Sequence, residues 1–451
     1  MNADLGIIGL GSMAENLIIQ LSNKGFRVSL YNRTAEKLKD FVSRNAGLNI
    51  IANYDLKSFV NSIERPRKIF LLIKAGEAVD NMLISLSPFL EKGDIIVDCG
   101  NSHFKDTERR FSEFDKKGIK YLGAGISGGV EGARKGLSIM VGGDRLAYET
   151  LAPIFDSISS RYNSRPAHGY FGKGGAGHFV KIIHNGIEYA LIENIAETYF
   201  LLKSIGKGNE EISGIFDDWS KRELKSYLLS AASEVLKLRE DGNFLVDLIL
   251  DKAEQKGTGR WASEISLELG IPAPSICSAV ISRTISSFKE RRLLLSKTLE
   301  IRKKKPNVEE HEIYNALLLS NIAAYVQGFD IMRNANEYSF NLKDIMHVWQ
   351  GGSIIRSLLI ERFMLEKSDD PLSWGYVLNT LQTHYSDFLK VVSEMNACAL
   401  PALVFSSSLN YFIYFFSPIL PANITQALRD HFGDHGFQRI DKTGEFHLNI
   451  R

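Results

Sequence analysis

Cysteine is scarce in this 451-residue chain: there are 3, Cys99, Cys277 and Cys398, far apart and in no metal-ligand spacing. An odd number of isolated thiols argues against a disulfide framework and a Cys-rich zinc site, and fits a reducing compartment. Charge of one sign is lacking too. Lys plus Arg number 54 and Asp plus Glu 53, a formal net charge of +1. No global field therefore draws the molecule to nucleic acid or anionic lipid, and positive charge for an anionic substrate has to be local. Apolar runs are too short to span a bilayer. The most apolar, Tyr411-Phe412-Ile413-Tyr414-Phe415-Phe416, is closed by Ser417-Pro418 and reads as a buried helix. The opening Met1-Asn2-Ala3-Asp4 lacks the basic start of a signal peptide. The expectation is a cytoplasmic protein with no membrane or nucleic-acid partner.

The length suggests two or three domains, and 44% hydrophobic with 24% charged residues is ordinary globular composition. In the first third, short apolar runs (Leu5–Ile8, Val28–Tyr31, Ile69–Ile73, Ile95–Val97, Lys120–Leu122) alternate with amphipathic segments such as Ala35–Ser43 and Phe104–Lys117. That alternation predicts βαβ units and a parallel sheet. After Gly177 strand-like runs nearly vanish and helical periodicities take over. The expected fold is a Rossmann-type parallel-sheet domain over 1–177, an all-helical domain over 178–430 for substrate and dimer contacts, and a C-terminal tail over 431–451. The charged stretch Lys303-Lys304-Lys305-Pro306 with Glu309-Glu310 reads as a solvated loop.

Gly9-Leu10-Gly11-Ser12-Met13-Ala14 fits G-x-G-x-x-A between a predicted strand and a predicted helix, the context a dinucleotide fingerprint requires. Gly9 permits the tight turn, Gly11 lets backbone approach a pyrophosphate, and the helix N-terminus offers free N–H groups to the anion. At the end of the second strand, where an NAD site places a carboxylate on the ribose, the chain has Asn32-Arg33-Thr34 and no acid until Glu36. A guanidinium there suits a 2′-phosphate, so the cofactor expected is NADP.

In the helical pattern from Gly177 to Tyr189, Lys181, His184, Asn185 and Glu188 fall at i, i+3, i+4 and i+7, on one face. Lys181 and Glu188 are two turns apart, about 10.5 Å along the axis, so a base and an acid could address opposite ends of a short polyol. Three other readings stay open: a solvated face, a metal pair of His184 and Glu188, and a satisfied core histidine. No further His or Cys pair at ligand spacing supports the metal.

These blocks, with Leu72-Ile73-Lys74-Ala75-Gly76, Asp98-Cys99-Gly100-Asn101-Ser102, Ser127-Gly128-Gly129 before Glu131-Gly132-Ala133-Arg134, Gln255-Lys256-Gly257-Thr258-Gly259, Arg283 before Ser286-Ser287, Leu420-Pro421-Ala422-Asn423 and Arg429-Asp430-His431-Phe432-Gly433-Asp434-His435, resemble the 6-phosphogluconate dehydrogenases from about residue 4 to residue 447. The resemblance implies NADP-dependent oxidation and decarboxylation of 6-phosphogluconate to ribulose 5-phosphate, in the oxidative branch of the pentose phosphate pathway, without a metal. It implies Lys181 as base and Glu188 as the acid that protonates carbon 1. Asn101, Ser127, Gly128, Gly129, His184, Asn185 and Tyr189 would line the sugar acid. Lys256, Arg283 and Arg429 would hold its phosphate, with Thr258 and His435 nearby. Gly9 to Ala14, Asn32, Arg33, Thr34, Ile73, Lys74, Ala75 and Asn101 would hold the cofactor. It further implies a homodimer whose tail reaches the partner's active site. The rivals are a β-hydroxyacid dehydrogenase of the 3-hydroxyisobutyrate type, which would not need the phosphate-binding cations, and an inactive NADP-binding paralogue.

Overall fold

The computed structural model describes residues 2–254, 257–299 and 304–448. Its first part holds β1 (Leu5–Ile8), α1 (Ser12–Asn23), β2 (Val28–Tyr31), α2 (Ala35–Arg44), β3 (Ile50–Asn53), α3 (Leu56–Asn61), β4 (Lys68–Leu71), α4 (Glu77–Leu86), β5 (Ile95–Asp98), α5 (Phe104–Asp115), β6 (Lys120–Ser127), α6 (Gly129–Lys135), β7 (Ser138–Gly143) and α7 (Arg145–Ile158). A small hairpin, β8 (Arg161–Tyr162) and β9 (Arg165–Pro166), then leads to β10 (His168–Tyr170). The main sheet has eight strands in the order β10-β7-β6-β5-β4-β1-β2-β3. Pairing is parallel throughout except for β6 with β7. β1 pairs with β2 on one side and β4 on the other, so the strand order reverses there and a crevice opens at the carboxyl ends.

The strands are near-continuous apolar runs because helices cover both faces. Leu5, Ile7, Val28, Leu30, Phe70 and Val97 pack in one core, and Ile8, Ile69, Leu71 and Ile96 in another. β4 stops at Leu71, short of the expected Ile73, because Leu72 makes the last ladder bond, donating its N–H to Ile8 O at 2.9 Å. β3 and β10 were not expected. β7 and β10 are rich in glycine, the wrong residue for a strand by propensity, and tertiary pairing overrides it.

A helical layer follows: α8 (Ala176–Ser204), α9 (Asn209–Trp219), α10 (Tyr227–Val235), α11 (Leu245–Leu248), α12 (Thr258–Glu268), α13 (Pro274–Ser287), α14 (Lys289–Thr298), α15 (Glu310–Arg333), α16 (Leu342–Gln350), α17 (Leu358–Met364), α18 (Gly375–Ala397), α19 (Leu403–Phe415) and α20 (Ala422–Gly433). Its one departure from helix among the described strands is a two-residue ladder, Arg239–Glu240 with Asn243–Phe244. α8 packs on β6 and β7 at one end and against α12, α13 and α15 along its length. It is therefore buried on all sides over its first three turns, Ala176 to Ile187.

Two local expectations are corrected. Glu310 is not loop but opens α15, and Glu309, just before it, caps that helix in a reciprocal box with Glu312, which satisfies free N–H groups at the helix start. Lys303 lies outside the described residues. The aromatic run at 411–416 is helical but only half buried: Tyr411 and Phe412 are in the core, whereas Tyr414, Phe415 and Phe416 are exposed. No helix among the described residues is long and apolar enough to cross a membrane.

Candidate active site

The fingerprint closes β1 and opens α1. Gly9 has φ +108°, and a Cβ there would lie 2.4 Å from Leu72 O, so only glycine fits. A Cβ on Gly11 would meet nothing within 4 Å. Gly11 is the N-cap of α1 and no side chain caps that end. The N–H groups of Ser12, Met13 and Ala14 are thus left for an anion at the positive end of the helix dipole. Leu10 is buried beneath the turn. Ile73, Lys74 and Ala75 follow β4 on the far side of the crevice.

Arg33 is exposed just past β2, with no ion pair recorded among the described residues. Asn32 donates to Thr34 O at 2.8 Å and so shapes that turn, and Thr34 stands at the N-cap position of α2 without a side-chain capping bond. A guanidinium without a carboxylate partner, beside a glycine cradle, is the donor set a 2′-phosphorylated dinucleotide calls for.

Asn101 sits in the loop after β5. The residue that shapes this loop is Asp98, whose role the sequence did not reveal. Its Oδ1 accepts the Gly100 N–H at 3.0 Å. Its Oδ2 accepts Ser102 Oγ at 2.6 Å, Tyr121 OH at 3.2 Å and Arg110 Nη1 at 3.3 Å. Arg110 is itself fully buried. This saturated network presents Asn101 to the crevice as an exposed side chain.

The face that carries Lys181, His184, Asn185 and Glu188 is on α8. It approaches β6 closely because Gly125 has no side chain: a Cβ there would sit 2.3 Å from Lys181 Cβ. Lys181 is 6% exposed and His184 fully buried. Lys181 Nζ lies 3.2 Å from His184 Nδ1, and that nitrogen is 3.3 Å from Asn185 Oδ1 and 3.7 Å from Glu188 Oε2. Amine, imidazole and carboxyl therefore follow one another along a single buried face. Burial lowers the Lys181 amine from 10.5 to about 8, against a smaller upward pull from Glu188. Burial raises the Glu188 carboxyl, opposed by Lys181 and Arg283. His184 is held well below 6.5, first by burial and then by Lys181, so the ring is neutral.

On the opposite side His184 Nε2 meets two hydroxyls, Ser127 Oγ at 3.0 Å and Ser353 Oγ at 2.6 Å. Ser127 ends β6, and Gly128 and Gly129 continue into α6. Ser353, in the turn after α16, was not anticipated. It carries no motif signal, and only the folding of residue 353 onto residue 184 reveals it.

Beyond Glu188, Tyr189 is stacked under Arg283, whose Cζ is 3.5 Å from the ring centroid. Gly259 packs on that same ring, since a Cβ there would lie 2.4 Å from Tyr189 Cδ2. Thr258 is buried at the first turn of α12, after an N-cap Gly257 that offers no side chain. Tyr189 and Arg283 thus lie against the N-terminal turn of α12, which Thr258 and Gly259 open. Lys256 lies outside the described residues. Among the described residues Arg429 and His435 make no recorded contact with this cleft: both are exposed, and Arg429 donates to Gln426 Oε1 at 3.1 Å. They belong to an arm, α20 and the residues after it, whose recorded hydrogen bonds and ion pairs among the described residues stay within the arm. The helix runs to Gly433, so the segment expected to start at 431 begins inside it.

Neither metal reading nor solvated-face reading of α8 fits. The His184 ring nitrogens are taken up by Lys181, Asn185, Ser127 and Ser353. The His/Cys/Asp/Glu clusters found among the described residues, His311-Glu312-Asp387 and Asp430-Asp434-His447, lie elsewhere.

The profile of the NAD binding domain of 6-phosphogluconate dehydrogenase matches residues 4–168, and that of the 6-phosphogluconate dehydrogenase C-terminal domain matches residues 177–450. A NADP(+)-dependent, decarboxylating 6-phosphogluconate dehydrogenase of Bacillus subtilis (strain 168) is 42% identical, with 98% of each chain covered. A NAD(+)-dependent, decarboxylating one of the same organism is 40% identical over 99% of this chain and 98% of its own. Among solved structures, the 6-phosphogluconate dehydrogenase of Plasmodium falciparum, described in its apo form and in complex with its cofactor NADP+ and its substrate 6-phosphogluconate, superposes with a TM-score of 0.94. It is 35% identical, covering 99% of this chain and 100% of that one.

Proposed function

The chain belongs to the 6-phosphogluconate dehydrogenase family, and from that premise we propose that Lys181 and Glu188 divide the acid–base work of its reaction. The reaction is the NADP-dependent oxidative decarboxylation of 6-phospho-D-gluconate to D-ribulose 5-phosphate, carbon dioxide and NADPH. The observation that carries the assignment is the buried row of amine, imidazole and carboxyl on α8, ending at the Thr258–Tyr189–Arg283 pocket.

When bound, NADP supplies the hydride acceptor. The α1 N-terminus holds its pyrophosphate, with Gly9 to Ala14 as the turn. Arg33, with Asn32 and Thr34, meets the 2′-phosphate. Ile73, Lys74, Ala75 and Asn101 close the crevice. Cofactor preference rests on Arg33, because family membership alone embraces both NADP and NAD enzymes.

Lys181 in its free-amine form accepts the proton of the carbon-3 hydroxyl as that carbon is oxidised. As an ammonium it then donates to the new ketone oxygen, which draws electrons from the breaking carbon–carboxylate bond. A metal is not needed for that withdrawal. Glu188, whose proton affinity burial raises, delivers a proton to carbon 1 of the enediol. Asn101, Ser127, Gly128, Gly129, His184 and Asn185 bond the hydroxyls and carboxylate. Arg283 and Thr258 take the phosphate, with Lys256 just before Thr258 in sequence.

A single chain leaves Arg429 and His435 away from that phosphate pocket. The arm that carries them shows Ile424, Leu428 and Phe432 to solvent. We infer a homodimer in which each arm covers the partner's pocket, burying these side chains and adding Arg429 and His435 to each site. The domains on this reading are 1–177 for the cofactor, 178–430 for substrate and dimer contacts, and 431–451 for the arm's end. Unpaired cysteines fit a cytoplasmic location. The 3-hydroxyisobutyrate type of activity is disfavoured by the dianion pocket. Comparing NADPH and carbon dioxide release from 6-phosphogluconate and from unphosphorylated gluconate tests the function. Turnover of the phosphorylated acid alone is expected, and equal turnover of both would remove the role of Arg283 and Thr258.

A further inference from the structure

Ser353 is fully buried and comes from the turn after α16, more than a hundred residues from either motif that it touches. Its surroundings determine which nitrogen of His184 carries the proton. Ser353 Oγ accepts the Ile355 N–H at 3.1 Å, and Ser127 Oγ accepts the Ile354 N–H at 3.3 Å. Each hydroxyl still has one hydrogen to donate. Ser127 Oγ stands 3.5 Å from Ser353 Oγ and 3.0 Å from His184 Nε2. The shortest contact of the group joins Ser353 Oγ to His184 Nε2 at 2.6 Å. Every hydrogen in this buried triangle finds an acceptor when Nε2 is bare: Ser353 donates to Nε2, and Ser127 donates to Nε2 or to Ser353 Oγ. With a proton on Nε2 the triangle would hold three donors crowded onto two oxygens that already accept backbone N–H groups.

The other edge of the ring agrees. Asn185 Oδ1, an acceptor, faces Nδ1 at 3.3 Å, which calls for a hydrogen on Nδ1. Lys181 Nζ lies 3.2 Å from the same nitrogen and can share its hydrogen. A neutral amine offers it a lone pair, whereas an ammonium offers only more hydrogens. Trp349, packed edge-on to the imidazole at 5.6 Å, blocks rotation of the ring out of this arrangement.

We propose that Ser353 is a positioning residue which, by donating to His184 Nε2, fixes the Nδ1–H tautomer and so favours the free-amine form of Lys181. The proposal deepens the assignment of Lys181 as base and rests on it. Among the described residues, the charged and titratable groups acting on this trio are Lys181, His184 and Glu188 themselves, on α8, and Arg283 from α13. The strands β6 and β7 and the α16 turn bring only Ser127, Ser353 and Trp349 to the ring.

The test is the pH profile of the hydride step, followed as NADPH formation in a single turnover of the full-length enzyme with 6-phosphogluconate. In Ser353→Ala the remaining serine can accept from Nε2–H, the other tautomer becomes accessible, and Nδ1 can accept from the Lys181 ammonium. The acid limb then moves to higher pH by about half a unit or more, the worth of one hydrogen bond. At pH above the limb the rate stays within a few-fold of the parent, and the KM for NADP is unchanged. Ser353→Thr, which keeps the hydroxyl, restores the parental limb. In a His184→Gln background, Ser353→Ala leaves the limb where that background puts it, a result that does not depend on how well the threonine is tolerated. A limb that stays in place in Ser353→Ala while the rate falls equally at every pH overturns the proposal, as does an equal shift in the His184→Gln background. Absence of any NADPH from 6-phosphogluconate in the parent would instead strike the function itself.

Discussion

Lys181 Nζ and His184 Nδ1 stand 3.2 Å apart, one helical turn from each other and both buried. A base in this setting is paired with a neutral ring and not with a carboxylate in direct contact, so burial governs its proton affinity. The same face carries Glu188 one turn further on, shifted the opposite way. Environment thus moves amine and acid toward each other, as a site that must both take and give protons requires.

The first prediction is the pH dependence of the oxidation step. The Lys181 amine, lowered to about 8, is free above that value and is lost as pH falls through it. Single-turnover NADPH formation should therefore rise with pH up to about 8 and fall tenfold per unit on the acid side. A rate that is flat between pH 6 and 9 would assign the proton transfer to another group.

Glu188 enters after the hydride has left. Glu188→Gln is expected to lower kcat by about 10²–10⁴-fold, the usual worth of a general acid. NADPH formation in the first turnover should change only a few-fold, because that step uses Lys181. Equal losses in both measurements would place Glu188 in binding or in the base's own proton transfer.

Much of this was legible in the sequence, and the boundary has physical causes. The fingerprint turn, β1, β2 and α8 carry strong local signals: glycines at a strand-to-helix junction and polar residues at helical spacing within an apolar segment. β10 was hidden because a three-residue strand centred on a glycine follows its neighbour and not its own propensity. Glu309 read as part of a charged loop because a capping box looks like a charge run until the helix after it is known. Asp98 and Ser353 escaped notice for a different reason. Their roles arise from contacts with Arg110, Tyr121 and His184, brought close only by the fold. The destination of Arg429 and His435 is written in neither the periodicity nor the single chain, since the surface that would receive them lies on a second copy.

Cofactor choice gives a third prediction. Arg33→Ala should weaken kcat/KM for NADP by about 10- to 100-fold, the loss of a charge-assisted bond to a phosphate, with little change for NAD. The ratio of the two kcat/KM values reads it. An unchanged ratio would mean that Arg33 only decorates the loop before α2.

Shared sites make a fourth. Arg429→Ala is expected to raise the KM for 6-phosphogluconate about tenfold or more while leaving the KM for NADP unchanged. Mixing this variant with Lys181→Met under conditions that exchange subunits should regain activity, because one site of each hybrid then holds an intact Lys181 and an intact Arg429. Hybrids no more active than their parents, or a fully active monomer by sedimentation, would contradict the arrangement.

The most direct measurement is on Lys181→Met. The account predicts a loss of at least about 10³-fold in NADPH formation from 6-phosphogluconate, with NADP titrated to the same Kd as in the parent because the α1 crevice is untouched. Turnover within tenfold of the parent, in a variant that still binds NADP normally, would show that the amine on α8 is not the base.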